Sequence, residues 1–358
     1  MREAVIVSGA RTPVGKAKKG ALASMRPDDL AALTIKETLK RADHYDGPID
    51  DVVIGCAMPE AEQGMNMARQ ISALAGLDPS IPAITINRYC ASGLQSIAYA
   101  AERIMLGFSE AVIAGGAESM SLIPMGGHVI KPNPTLVQQA PNYYMSMGHT
   151  AEEVAKRYAI SREDQDGFAV LSHKRATKAL KEGKFADEIV PVPVIERFIN
   201  ASNQVEERTF IFDQDEGVRP DTSIDILATL KPVFKLGGTV TAGNASQMSD
   251  GAASVLVMDR EKAESEGLKP LVKFRSFAVA GIEPEIMGVG PIKAIPKAVD
   301  MAGLEISDID LFELNEAFAS QAVAVIRELD LDMDKVNVNG GAIALGHPLG
   351  CTGTKLTL

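Results

Sequence analysis

Tryptophan is absent from this chain of 358 residues, and aromatic residues make up only 5% of it. Nothing here favours a surface on which nucleic-acid bases would stack. Positive charge is also in short supply: the formal net charge is −11, which argues against general binding to nucleic acid or anionic membranes. A small anionic ligand stays open, because a local basic pocket can sit on an acidic protein. Cysteine occurs three times (Cys56, Cys90, Cys351) with no Cys-x-x-Cys spacing, which makes neither a disulfide framework nor a zinc site. Long apolar runs are missing, and "MREAVIVSGARTP" lacks the charged-then-apolar layout of a signal peptide. These absences lead to the expectation of a soluble protein in a reducing, cytoplasmic setting.

What is present reads as α/β. "EAVIVSGA", "DDVVIGCAM", "PAITIN" and "EAVIAGGAES" have strand character. "PDDLAALTIKETLKRA" has Pro27 and two aspartates at its start and basic residues at its end, as a helix macrodipole favours. "NMARQISALAG" reads as a helix closed by Gly76. Strands apolar on both faces and separated by helices predict a largely parallel sheet covered on both sides. From about residue 121 to 246 the composition turns to Pro, Gly, Asn and Met, which predicts an inserted loop domain. Inside it, Thr150 and Glu153 give a capping-box signal, and Ser161 opens a longer helix reaching Gly183. Sheet-like sequence resumes with "AASVLVMD", "PLVKFRSFAVAG", "IDLFELNEAF" and "KVNVNGG". "TINRYCASG" and "VNVNGGAIALGHPLGCTG" both run from a strand through Asn into a small-residue turn and a helix, which hints at a duplicated half-domain.

Three residues stand out for chemistry. Cys90 lies in a corner between the strand ending at Asn87-Arg88 and the helix beginning by Ser92-Gly93. A helix N-terminus stabilises an anion by roughly 0.3–1 kcal/mol, and its free N–H groups can hold an oxyanion. The plain alternative is a small buried hydrophobe. A nucleophilic cysteine needs a base. His44 reads as a solvated turn residue, His173 as helix surface, and His128 and His149 as parts of the insertion. His347, in "GGAIALGHPLGCTG", sits where glycines permit close backbone approach to a ligand. In "LNEAF", Asn315 and Glu316 read either as N-caps or, for Asn315, as a group that orients a water or polarises a carbonyl.

"NRYCASGLQ", "NEAF" and "GGAIALGHPLGCTG", in this order, resemble the thiolase family. The resemblance continues through "VSGARTPVG", "GGAESMS", "MGHTAE", "FAVLSHKRA" and "VTAGNASQMSDGAAS", so it covers essentially the whole chain. It implies a five-layered α-β-α-β-α thiolase fold built from two similar halves plus an inserted loop domain. The expected division is residues 1–120 with 247–270, 121–246, and 271–358. It also implies a ping-pong acyl transfer: Cys90 attacks the keto carbon of a 3-ketoacyl-CoA while His347 draws off its proton. Acetyl-CoA leaves, and a second CoA collects the acyl group. By the same resemblance, Asn315 and His347 frame one oxyanion hole through a water, and the Cys90 N–H serves the other, each donor being worth roughly 3 kcal/mol. Met147, Arg219 and Ser246 match positions along the CoA arm, with Arg219 the phosphate partner; Met287 and Phe318 match positions lining the acyl end. No metal or bound organic cofactor is implied, since CoA is a substrate.

The resemblance further implies a homodimer or homotetramer, with the segment after residue 121 forming tetramer contacts, and leaves room for a fatty-acid oxidation partner subunit. Family members use a second cysteine, in a C-terminal Cys-x-Gly motif, for the acetyl carbanion. This sequence ends at "TGTKLTL", before the place of that motif, and the expectation is a truncated chain, with Cys351 of "GCTG" structural. A degradative 3-ketoacyl-CoA thiolase is the leading reading. The alternatives are a biosynthetic acetoacetyl-CoA enzyme and a non-catalytic CoA-binding scaffold. Ketoacyl synthases, which pair the cysteine with two histidines, are disfavoured by Asn315.

Overall fold

Strands that are apolar on both faces need cover on both, and the first 120 residues supply it. In the computed structural model, which describes residues 2–199 and 202–358, β1 (Ala4–Arg11) and the short β2 (Gly15–Lys16) precede α1 (Pro27–Arg41). β3 (Asp51–Gly55), α2 (Met67–Ala75), β4 (Ala83–Ile86), α3 (Ser92–Met105) and β5 (Ala111–Ser119) follow. Alternate residues split between the faces of the sheet. Val52, Ile54 and Ile113 pack against Leu30 and Ile35 of α1 and Ile71 of α2, whereas Val53, Val112 and Ala114 pack against Ile97 and Ile104 of α3. Pro27, Asp28 and Asp29 open α1, Lys40 and Arg41 close it, and Gly76 ends α2 in the left-handed conformation.

The insertion holds α4 (Pro134–Gln139), α5 (Met147–Arg157), α6 (Arg162–Lys181), the hairpin β6 (Val192–Ile199) and β7 (Val205–Phe212), and α7 (Ile224–Ala228). Ser161 caps α6 in a reciprocal capping box with Asp164. The Thr150–Glu153 signal marks no helix start. α5 begins at Met147, and Thr150 lies inside it with its hydroxyl donating to Met147 O at 2.8 Å. The hairpin was not foreseen; its strands are exposed along most of both faces, so the sequence carries no period-2 apolar stripe there.

After the insertion, β8 (Ser249–Asp259) enters the sheet between β5 and β1, antiparallel to both. The full order is β4-β3-β5-β8-β1-β9, with β2 paired to β8. The expectation of a largely parallel sheet therefore needs correction. Only β4-β3-β5 run parallel. The chain leaves β5 and returns through a long excursion rather than a single crossover helix, so nothing forces the parallel sense.

The remaining elements are α8 (Arg260–Ser265), β9 (Val272–Lys273), α9 (Pro291–Met301), α10 (Ala319–Glu328), α11 (Ala342–Leu345) and α12 (Thr352–Thr357). Of the strands expected after residue 270, the described residues form only β9 and isolated bridges, an antiparallel one between Phe318 and Ala245 and a parallel one between Phe312 and Val336. The side chain of Asn337 explains why that ladder stops. It accepts from Leu314 N at 2.7 Å and donates to Leu314 O at 2.8 Å, taking both backbone groups that a neighbouring strand would have used.

Candidate active site

Cys90 occupies the corner that the sequence indicates, in a 3₁₀ turn (Tyr89–Ala91) running straight into α3. The turn is held by local side chains: Asn87 Oδ1 accepts from Tyr89 N at 2.7 Å, and Ser92 Oγ accepts from Arg88 N at 2.8 Å while donating to Tyr89 O at 2.6 Å. Tyr89 pays for its tightness with a φ of +46°, in the left-handed region. Cys90 packs against Ala57, Met120 and Leu349. Burial, with the Glu118 carboxylate adding to it, pushes the thiol up to about 12, and its own backbone N–H is the opposing pull. A rise of that size amounts to about 4 kcal/mol against the anion, several times what a helix N-terminus returns. Free Cys90 is thus a thiol, not the resting thiolate that its place at a helix start implies.

His347 is buried at the end of an apolar loop, tied down by backbone bonds from its N–H to Gln247 O at 3.3 Å and Ser249 Oγ at 3.1 Å. Burial, then the Lys355 ammonium, lowers its pKa to about 3, so the ring is neutral at physiological pH. Its Nε2 meets Asn315 Nδ2 at 3.3 Å, and its Nδ1 meets Thr352 Oγ1 at 2.6 Å. The other amide atom of Asn315, Oδ1, is buried without a partner. An unsatisfied acceptor of this kind is a ready seat for a water or a substrate donor. Neither Asn315 nor Glu316 caps α10, because Phe318 holds that position. Glu316 instead accepts from Ser172 Oγ (2.6 Å), Asn337 Nδ2 (2.9 Å) and Ile343 N (3.1 Å), which anchors the loop leading to His347.

The Cys90 and His347 segments are pressed together by small residues. The 3₁₀ turn Leu349–Cys351, two residues past His347, packs on the Cys90 turn, and α12 packs on α3. A Cβ on Gly93 would stand 2.7 Å from Gly350 O, and one on Gly350 would stand 2.8 Å from Glu118 Oε2. Glu118 fastens this junction by accepting from Ala57 N (2.8 Å), Met58 N (3.2 Å), Gly350 N (2.8 Å) and Gln63 Nε2 (2.6 Å). Burial raises its pKa against those four bonds. Cys351 is buried beside the turn, its thiol also pushed up to about 12 by burial.

The residues matched to the CoA arm and to the acyl end divide into two groups. Ser246 and Phe318 lie beside Asn315: Ser246 N donates to Ala317 O at 2.9 Å, and Ala245 bridges to Phe318. Met147 begins α5, which packs on the 3₁₀ turn Pro284–Val289 carrying Met287; that turn also touches α10. Arg219 stands apart, exposed on a turn whose N–H donates to His173 Nδ1 at 3.1 Å. It lines a groove of about 530 Å³ with Lys174, Lys178, Lys181 and Thr222. A larger groove of about 810 Å³ lies between the β6–β7 hairpin and residues 18–24, and neither groove is lined by Cys90 or His347.

Sequence reasoning missed two residues here. Phe234 stacks edge-on with Phe318 at 6.1 Å and with His149 at 6.5 Å, linking α5 to the Asn315 turn. Thr352 was passed over inside "GCTG", where no spacing rule marks a hydroxyl that reaches back to a histidine. His173, expected on the surface, is buried, and burial followed by the Arg219 charge lowers its pKa to about 4. The unfolded chain takes up a proton near pH 6.5 that folded His173 refuses, so this group's stabilisation is full above 6.5 and is lost as pH falls towards 4. His173→Gln should therefore flatten the acid limb of stability by about 1.4 kcal/mol per pH unit in that window. Urea midpoints at pH 4.5, 5.5, 6.5 and 7.5 check this, and parallel curves for variant and parent would refute it.

Two family models match the chain end to end: "Thiolase, N-terminal domain" over residues 4–261 and "Thiolase, C-terminal domain" over residues 268–358. A 3-ketoacyl-CoA thiolase of Bacillus subtilis (strain 168) is 70% identical over 358 residues, covering 100% of this chain and 92% of that protein. The peroxisomal 3-ketoacyl-CoA thiolase 5 of Arabidopsis thaliana is 46% identical over 98% of this chain and 77% of its own length. The crystal structure of the Bacillus anthracis acetyl-CoA acetyltransferase superposes with a TM-score of 0.89 at 40% identity, covering 100% of this chain and 91% of the other. With the family models spanning the chain and the fold shared with a solved relative, this protein belongs to the thiolase family and has the thiolase fold.

Proposed function

We propose that this acyltransferase cleaves 3-ketoacyl-CoA with a second CoA, giving acetyl-CoA and a shortened acyl-CoA through an acyl-enzyme on Cys90. The observation that carries the reading is the pairing of buried His347 with half-buried Asn315, whose Oδ1 is unpartnered, next to the turn Leu349–Cys351 that packs on the Cys90 turn. His347 Nε2 takes the proton of the Cys90 thiol as sulfur bonds to the keto carbon. The bond between the keto carbon and its α-carbon then breaks, and its electron pair leaves as the enolate of acetyl-CoA. A water on Asn315 with the His347 ring stabilises that enolate oxygen. The enolate takes the proton that His347 carries, giving acetyl-CoA; a second CoA thiol then attacks the thioester carbonyl, His347 accepting its proton and passing it to the departing Cys90 sulfur. The Cys-x-Gly that this sequence holds, Cys351-Thr352-Gly353, carries a buried thiol pushed up to about 12, and no step here calls on it; acyl transfer onto Cys90 is tested by itself.

CoA enters as a substrate. Met147 and Ser246 are read as contacts along its arm, Met287 and Phe318 as contacts at the acyl end, and Arg219 as the phosphate partner. Support for Arg219 comes from the three lysines that share its groove. Residues 121–246 form the inserted domain of this reading, between a half made of 1–120 with 247–270 and a half from 271. A homodimer or homotetramer fits the free edge of β4 and the exposed Met65, Tyr89 and Leu94. A cytoplasmic setting fits three free cysteines. Among the described residues no helix is long and apolar enough to cross a membrane.

Intact and peptide mass spectrometry before and after mixing with acetyl-CoA tests the reading. The expected result is one acetyl group on the Cys90 peptide, removed by added CoA. Absence of the adduct on folded protein overturns the catalytic reading and leaves the CoA-binding scaffold. The acetyl-CoA acetyltransferase likeness favours a second, biosynthetic reading. Acetyl-CoA condensation faster than thiolysis of longer 3-ketoacyl-CoA would establish that one instead.

A further inference from the structure

A neutral imidazole carries one hydrogen, and where it sits decides which nitrogen is the base. Thr352 Oγ1 lies 2.8 Å from Pro348 O and 2.6 Å from His347 Nδ1. A hydroxyl has a single hydrogen to give. A carbonyl oxygen cannot donate, so the contact with Pro348 O is attractive only when the Thr352 hydrogen lies on it; otherwise two oxygen lone pairs face each other at that distance. With its hydrogen committed to Pro348, Thr352 Oγ1 can only accept from His347. The ring hydrogen must then be on Nδ1. The opposite side of the ring agrees independently, because Asn315 Nδ2 is a donor and needs the lone pair of Nε2.

We propose that Thr352 is a positioning residue that holds His347 in the Nδ1–H tautomer, leaving Nε2 as the basic nitrogen beside Asn315. It does so from the first residue of α12, where its backbone N–H also bonds Pro348 O at 3.0 Å. The hydroxyl is therefore aimed by helix geometry, and both His347 and Thr352 are buried, away from competing water. Without it the Nδ1–H would be a buried donor with no acceptor, and the ring would gain by moving its hydrogen to Nε2 or by turning. Either change removes the lone pair that the first proton transfer needs. The inference rests on the proposed role of His347 as the base for Cys90, but the tautomer itself is measurable without that reaction.

Thr352→Val keeps the shape and removes the acceptor, and Thr352→Ser keeps the acceptor. Each is read by the rate of Cys90 acetylation from acetyl-CoA, by the ¹⁵N spectrum of labelled His347, and by the urea midpoint. Thr352→Val is expected to slow acetylation on the order of 10²-fold, short of the roughly 10⁴-fold cost of a wrong tautomer enforced in a buried triad. Its ¹⁵N pattern should lose the pure Nδ1–H form. Thr352→Ser should stay within about threefold of the parent and keep that form, since it retains the hydrogen bond. A valine variant that keeps the Nδ1–H pattern overturns the proposal, whatever its rate. So does a serine variant as slow and as destabilised as the valine one, which would assign Thr352 to packing. Should the parent itself never acetylate, the proposed function fails, and the ¹⁵N comparison still decides the tautomer.

Discussion

Replacing His347 with asparagine should slow acetylation of Cys90 by about 10⁴-fold or more at neutral pH, and should make the remaining rate climb tenfold per pH unit. The reason is the protonation state of the nucleophile. With the Cys90 thiol pushed up to about 12, the thiolate present at pH 7 is roughly one part in 10⁵. A general base at the moment of attack is then the main source of reactivity, and His347, lowered to about 3, is unprotonated and available from acid to alkaline pH. The parent rate should accordingly be flat between pH 6 and 9. In the variant the reaction falls back on preformed thiolate, whose population grows with each pH unit. Quenched mass spectrometry of the Cys90 peptide across that range measures both profiles. A flat profile in the variant, or a parent profile that rises tenfold per unit, would show that His347 does not take the proton.

The second large effect is structural. Gly116 → Ala should cost about 3 kcal/mol or more of stability and remove Cys90 acetylation with it. Gly116 lies in the middle of β5, and a Cβ there would meet the carbonyl group of Gly350 far inside van der Waals contact. The obstacle is backbone, not the end of a flexible side chain, so no rotamer change relieves it. Relief requires moving either β5, paired on both sides to β3 and β8, or the turn Leu349–Cys351. The turn is the weaker side. Shifting it breaks the Gly350 N bond to Glu118 and drags His347 and Thr352 from their places. Urea unfolding and the acetylation assay together check this; a variant with parental stability and acetylation would show that the junction is not tightly packed.

Much of the fold was legible because its signals are local. The four strands and three helices expected in the first 120 residues lie where apolar runs, Pro27, Gly76 and the terminal charges place them, and the only strand there not foreseen is the two-residue β2. Ser161 announced α6 equally plainly. The errors share one cause, since each concerns what lies beside a segment. Thr150 has the right neighbours for a cap but sits within a helix begun by Met147. The segment "IDLFELNE" has strand character, yet Asn337 takes the hydrogen bonds that a neighbouring strand would need. His173 sits among lysines in sequence, although the turn at Arg219 covers it.

The sequence by itself determined the family and which groups are proposed to react. A cysteine at a strand-to-helix corner, an "NEAF" turn and a glycine-rich histidine loop, in that order, are covalent facts that survive any folding. Only the tertiary structure decided how these groups are protonated and joined. Burial makes Cys90 a thiol and His347 a neutral ring; Thr352 and Asn315 choose which ring nitrogen is bare; glycines let the two turns touch. Proton affinity and hydrogen-bond direction depend on the atoms surrounding a group, and those atoms arrive from distant parts of the chain only when it folds.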